Sequence, residues 1–159
     1  LIDAGGPACD AMRAAGDRLT LAMLDYPAPL VIASTGHAMA KAAFMLLLAD
    51  YRVGPAGQWR VALNEVAIGM TMPRSAMAIA RDRLNLQWLS RCALQAEGLN
   101  PEQAQAAGFY DGLQVPDQVL SEAREQLQRL AALPRKAYRE TRALHNAPLR
   151  EAVLPWLQL

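Results

Sequence analysis

Only two cysteines, Cys9 and Cys92, occur among the 159 residues. They lack CxxC spacing, which argues against a disulfide framework or a zinc site and fits a reducing cytoplasm. Neither sign of charge predominates: 16 basic residues stand against 15 acidic ones, for a net charge of +1. No strong field therefore points to nucleic acid or to a membrane surface. Long apolar runs are absent too, since the longest, Ala42 to Ala49, falls far short of the roughly 20 residues a membrane-spanning helix needs. The first residues carry no basic-then-apolar signal peptide, and the chain opens on Leu1 instead of methionine. That opening leads us to expect processing, truncation or a further segment upstream. No GxGxxG, P-loop, zinc spacing or nucleophile elbow is found.

What is present is apolar content, 53% of residues, enough for one compact domain with a real core. Gly5-Gly6-Pro7 reads as a loop, and Ala8 to Asp25 as a helix whose buried face carries Ala11, Ala15, Leu19, Ala22 and Met23. The prolines at 27 and 29 end it. Leu30 to Ala33 reads as a buried strand, Ser34 to Gly36 as a break, and Ala38 to Asp50 as a helix apolar nearly all round, placed at the centre of the protein.

Tyr51 to Val53 and Gln58 to Leu63 read as strands separated by a turn at Gly54 to Gly57, with a Met/Pro loop after Glu65. Helices follow over Arg74–Arg83 and Gln87–Glu97, the second stopped by Gly98. Asn100-Pro101-Glu102 is a helix start, Gly108 its stop, and Phe109 to Val115 is extended. Beyond Pro116 the pattern is helical and amphipathic over 118–133, 135–145 and 149–157. Alternating strands and helices followed by a helical last third argue for an α/β fold. The division falls at Pro116, giving an α/β core over residues 1–116 and a helical region over 117–159.

Three ordered phrases carry a family resemblance: APLVIASTGHAMAKAAFMLLLAD (28–50), LNEVAIGMTMP (63–73) and AEGLNPEQAQAAGFYDGLQVP (96–116). Their order and content resemble the enoyl-CoA hydratase/isomerase (crotonase) family. The resemblance implies a crotonase-like spiral of ββα units, usually assembled as a trimer or a pair of trimers. It also implies an acyl-CoA thioester as substrate, coenzyme A entering only as part of that substrate and no other cofactor. The helical region 117–159 would then serve trimerisation and closure of the acyl-CoA site.

Chemically, the resemblance implies two backbone N–H groups aimed at the thioester carbonyl, where enolate charge develops. One falls at the start of the central helix, at Lys41 flanked by Ala40 and Ala42, with His37 beside the turn; the other lies upstream of this chain. Two glutamates activate water in typical hydratases. The first aligns with Phe44, which cannot transfer a proton, and the second aligns with Glu65. A single carboxylate suffices to shuttle a proton between two carbons, as in the double-bond isomerases. Glu65 is thus the catalytic candidate, with packing expected against Val66, Ile68 and Met70.

The other candidates each carry two readings. Lys41 stands where the family has glycine, and its side chain could reach solvent or a CoA phosphate, or be an ordinary surface lysine. His37 reads as a substrate contact or as a packing residue. Phe44, Met70 and Met72 read as acyl-pocket lining, and with Met39, Met45 and Met77 the methionines read equally as core. His145 is expected in solvent. Arg74, Arg81, Arg83, Arg135, Lys136 and Arg139 could meet phosphates or form a solvated face. The reaction class left open is hydration or isomerisation of an enoyl-CoA, against a non-catalytic protein keeping the fold for assembly or acyl-CoA binding.

Overall fold

A computed structural model describes residues 6–158. Gly5 of the expected first loop lies outside them. Two parallel sheets share the strands. β1 (Val31–Ala33), β3 (Tyr51–Pro55) and β5 (Gly112–Gln114) form one in the order β1-β3-β5, while β2 (Ala38–Met39) and β4 (Val61–Ala62) form the other. The first two passes of the chain each add a strand to the first sheet, a strand to the second, and then helix, while the third adds only β5 before helix. α2 (Lys41–Leu47) closes the first pass, and α3 (Arg74–Arg83) and α4 (Leu86–Ala93) close the next. This is the spiral of ββα turns. α5 (Pro101–Ala107) leads into β5, and α6 (Val119–Ala131) and α7 (Arg135–Val153) complete the chain, with α1 (Pro7–Leu24) preceding β1.

Alternation along the strands decides the layers. Val31, Ala33, Tyr51 and Val53 face α6 at Val119 and Ala123, while Ile32 packs on the opposite, larger core. Phe44, Leu46, Leu47, Leu63, Leu99 and Phe109 lie in that core. Among these, Leu47, Leu63, Leu99 and Phe109 are fully buried. Burying each such side chain contributes about 1.5–3 kcal/mol.

Local signals placed several elements well. α3 spans the expected residues. α5 is closed by a capping box, in which Gln103 N–H donates to Asn100 Oδ1 (2.8 Å) and Asn100 N–H donates to Gln103 Oε1 (3.0 Å). Gly108 ends it with φ 101°.

Other expectations need correction. On α1, Ala11, Ala15, Leu19 and Ala22 are exposed, and Thr20, Met23 and Leu24 turn inward instead. Alanine buries little area whichever way it points, so the two large side chains and the polar contacts at the helix's end set its rotation. The helix expected from Ala38 starts only at Lys41, because Ala38 and Met39 pair with Val61 and Ala62. Gly54 and Pro55 belong to β3 and not to a turn. β4 keeps only Val61 and Ala62 of the strand expected over 58–63. α4 stops at Ala93, before the expected Gly98, where a bend through Ala96 (φ 49°) brings Glu97 back to Arg91 at 2.7 Å.

α7 runs unbroken through Pro148, where two helices were expected. A proline removes one ladder bond and crowds the preceding turn, at about 3 kcal/mol. Buried Arg142, Asn146, Leu149 and Val153 on both sides of it hold the helix together.

Gly54 explains its own position. A Cβ there would sit 2.5 Å from the Tyr110 ring, and Tyr110 is itself buried. Gly54→Ala is expected to cost about 1–3 kcal/mol by overpacking, measured by urea unfolding. Most of the loss should return when Tyr110 is shortened to leucine in the same chain; a Gly54→Ala protein as stable as the parent would contradict the packing.

Both cysteines are free thiols, and burial pushes Cys92 up to about 11. No described helix is long and apolar enough to cross a membrane.

Candidate functional site

Two adjacent parallel strands, β2 and β4, end side by side, and the candidate residues follow directly from those ends. Ala40 N–H donates to Ala62 C=O at 2.9 Å, the last bond of the pair. Ala40 then turns with φ 48° and ψ −120°. This is the conformation of the first central residue in a type II′ turn, open to glycine and costing an L residue about 1–3 kcal/mol. α2 starts at once. Its first ladder bond runs from Phe44 N–H to Ala40 C=O (3.2 Å), so the N–H groups of Lys41, Ala42 and Ala43 precede the ladder.

On the neighbouring strand, Ala62 is followed by fully buried Leu63, then Asn64 and Glu65. Glu65 starts a 3₁₀ turn over Val66–Ile68, its carbonyl accepting from the N–H groups of Ile68 (3.2 Å) and Met70 (2.9 Å). Its side chain is only 7% exposed, and Oε2 has no hydrogen-bond partner among the described residues. Asn64 Oδ1 is likewise buried and unpartnered. A buried acceptor left unsatisfied costs about 1–3 kcal/mol, so such groups mark sites that receive something. The expected packing of Glu65 on Val66, Ile68 and Met70 does not occur. Those three point outward at 42–45% exposure, because the 3₁₀ turn rotates them away while Glu65 folds inward.

Lys41 turns its amino group onto α1. Nζ donates to Thr20 Oγ1 of α1 at 2.5 Å, although much of the residue is exposed. Burial lowers the pKa of the ammonium, partly offset by the charge of Asp17. His37 sits at the opposite end of β2 from the Ala40 turn. Its Nδ1 accepts from Arg60 N–H (3.0 Å) and its ring meets Trp59 edge-on at 5.3 Å.

Of the candidate pocket residues, Phe44 and Met72 are buried in the main core and Met70 is 42% exposed. Met39 is exposed, and Met45 and Met77 are half-buried.

The basic candidates scatter. Arg74 stacks on Trp156 at 4.5 Å, and Arg81 on α3 and Arg135, Lys136 and Arg139 on α7 are exposed. Arg83 is half-buried, its guanidinium reaching Asn146 Oδ1 (2.6 Å) and the ring of His145, which is thereby engaged and not merely solvated. Among the described residues no group of three or more His, Cys, Asp or Glu side chains gathers as a metal site.

A polar centre that no local pattern signalled is Arg142. It is 5% exposed and donates to Asp50 (2.8 and 2.9 Å) and to the carbonyls of Met23, Leu24 and Tyr26 (2.9, 2.9 and 2.8 Å). Asp50 Oδ2 in turn accepts from Leu30 N–H at 2.8 Å. These residues lie 92 to 119 positions from Arg142, beyond any local pattern. Grooves of about 480 and 530 Å³ flank Arg142 along α7, and neither is lined by Glu65 or the Ala40 turn.

The comparisons with known proteins agree with this architecture. A family model described as enoyl-CoA hydratase/isomerase matches residues 6–156. Curated sequences provide no match. Among solved structures, an enoyl-CoA hydratase from Mycobacterium marinum is 38% identical with a TM-score of 0.88, over 93% of this chain and 65% of that one. An enoyl-CoA isomerase from Mycobacterium tuberculosis is 36% identical with a TM-score of 0.88, over 92% of this chain and 65% of that one. A family protein from Pseudomonas syringae is 35% identical with a TM-score of 0.93, over 98% and 67%. The chain thus spans about two thirds of the length of these relatives. With the ββα spiral, the two aligned strand ends and a match across nearly its whole length, this chain belongs to the enoyl-CoA hydratase/isomerase family.

Proposed function

We propose that this chain carries the proton-transferring part of an enoyl-CoA isomerase or hydratase. An acyl-CoA thioester would place its carbonyl oxygen at the N–H groups following Ala40, where enolate charge is stabilised by fixed dipoles. Glu65 would then take a proton from one carbon of the enoyl chain and return it to another. The observation that carries this reading is the buried carboxylate of Glu65, with Oε2 unpartnered, just past the strand end that adjoins the Ala40 turn.

Isomerisation is favoured over hydration. Phe44 lies in the apolar core, leaving one carboxylate where water activation would use two. A relative 36% identical is described as an enoyl-CoA isomerase, though one 38% identical is described as a hydratase. Assembly as a trimer or a pair of trimers, with helices from the 117–159 region at the contacts, and a cytoplasmic site of action belong to the same proposal.

The decisive experiment assays the protein with 2-enoyl-CoA and 3-enoyl-CoA thioesters, before and after Glu65→Gln. Turnover of the 3-enoyl substrate that depends on Glu65 is expected. Absence of turnover on both substrates would favour the second reading, a non-catalytic member. That reading draws support from Phe44, buried in the apolar core, and from Lys41 at the start of α2, where the resemblance implies glycine.

A further inference from the structure

Ala40 keeps a glycine-like backbone (φ 48°, ψ −120°) without being glycine, so something beyond its own preference must hold it there. One restraint is the bond to Ala62 on β4. The other comes from the next residue. Lys41 sends its side chain across to α1, where Nζ donates to Thr20 Oγ1 at 2.5 Å. Thr20 is fully buried and its hydroxyl donates to Gly16 C=O at 3.1 Å, which fixes the oxygen that receives the ammonium. The Lys41 side chain runs alongside Gly16, where a Cβ would make an ordinary 3.5 Å contact with Lys41 Cε. Asp17, on the same face, supplies the opposite charge. Gly16, Asp17, Thr20 and Lys41 thus form a clasp between α1 and the turn.

We infer that Lys41 is a positioning residue whose side chain, clasped on Thr20, holds the Ala40 turn in the conformation that aims the following N–H groups at the thioester oxygen. The inference rests on the role proposed above for that turn. The side chain replaces, by a contact from outside, the freedom that glycine would supply from within. Truncating it leaves α2 in place and lets the turn relax toward ordinary dihedrals. Relaxation would move the donors away from the developing charge without removing any group that binds the rest of the acyl-CoA.

The test uses the full chain with Lys41→Met, Thr20→Val, Thr20→Ser, Ala40→Gly and the pair Lys41→Met/Ala40→Gly. Two quantities are read: amide hydrogen exchange over residues 40–43, and kcat and KM on a 3-enoyl-CoA. Lys41→Met and Thr20→Val are expected to speed exchange in the turn and lower kcat, each about tenfold, the scale of one lost charge-assisted hydrogen bond. KM should stay within about twofold, since uniform binding is untouched. Thr20→Ser keeps the hydroxyl and should behave as the parent. Adding Ala40→Gly to Lys41→Met should restore kcat to within about threefold, because glycine adopts the turn unaided.

Unchanged exchange in both Lys41→Met and Thr20→Val would overturn the clasp, as would a kcat that Ala40→Gly fails to rescue. If the parent turns over no enoyl-CoA, the proposed reaction fails on its own. The exchange measurement then still decides the clasp, with Thr20→Ser against Thr20→Val as the contrast.

Discussion

Replacing Arg142 by alanine is expected to lower the unfolding free energy by about 3–5 kcal/mol, the scale for breaking a buried ion pair from one side. The guanidinium is 4% exposed and the Asp50 carboxylate 16%, so water cannot readily replace the lost partner. The change strands more than one charge. Carbonyls of Met23 and Leu24, at the C-terminal end of α1, and of Tyr26 lose their donor from α7. Helix C-terminal carbonyls have no intrahelical partner of their own, and a cation there also meets the negative end of the helix dipole. Asn146 Nδ2 still donates to Leu24 C=O at 2.9 Å, so the loss is partial at that atom.

For a chain of this size the change corresponds to a fall in Tm of roughly 6–20 °C. That is a large share of a total stability of about 5–15 kcal/mol. Arg150→Ala is the contrast. Its pair with Asp25 has two good bonds, at 2.7 and 3.1 Å, but both side chains are about 40% exposed. Solvent screening should hold that loss below about 1 kcal/mol. Thermal and urea unfolding of both variants decide the matter, and equal small losses would show that burial of Arg142 adds nothing.

Glu65→Gln should reduce kcat on a 3-enoyl-CoA by about 10²–10⁴, the range for removing a positioned acid–base group. The corresponding rise in barrier is about 2.7–5.4 kcal/mol. Glutamine keeps the shape of the side chain and is neutral, so a site with an unpartnered oxygen should accept it with Tm preserved or raised. An active variant with more than a third of the parent rate would remove Glu65 from the mechanism.

The same experiment can ask whether a second carboxylate restores hydration. Phe44→Glu is expected to destabilise the protein and gain no hydratase activity. Phe44 is 3% exposed among apolar neighbours, and an unpaired carboxylate there would lack any compensating contact. Phe44→Leu, which keeps the core apolar, should leave Glu65-dependent turnover measurable.

What neighbouring residues enforce on one another was legible along the chain. The bounds of α3, the capping box at Asn100 and Gln103 and the stop at Gly108 all follow from interactions within a few positions. The ordered phrases around residues 28–50, 63–73 and 96–116 also sufficed for the family and its ββα spiral, and they singled out Glu65.

Contacts between distant parts of the chain set the remaining features. β2 has two residues, too few for any period, and exists only because Val61 and Ala62 pair with it. α1 turned Thr20, Met23 and Leu24 inward and left Leu19 and its alanines outside, because α7 and Lys41 meet it there. α7 continued through Pro148 because buried residues on both sides outweigh one missing bond. Arg142 looked like one more arginine among many until Asp50, 92 residues away, closed on it. Spacing along a chain reports contacts within a turn or two, whereas burial and charge pairing depend on which distant surfaces the fold brings together.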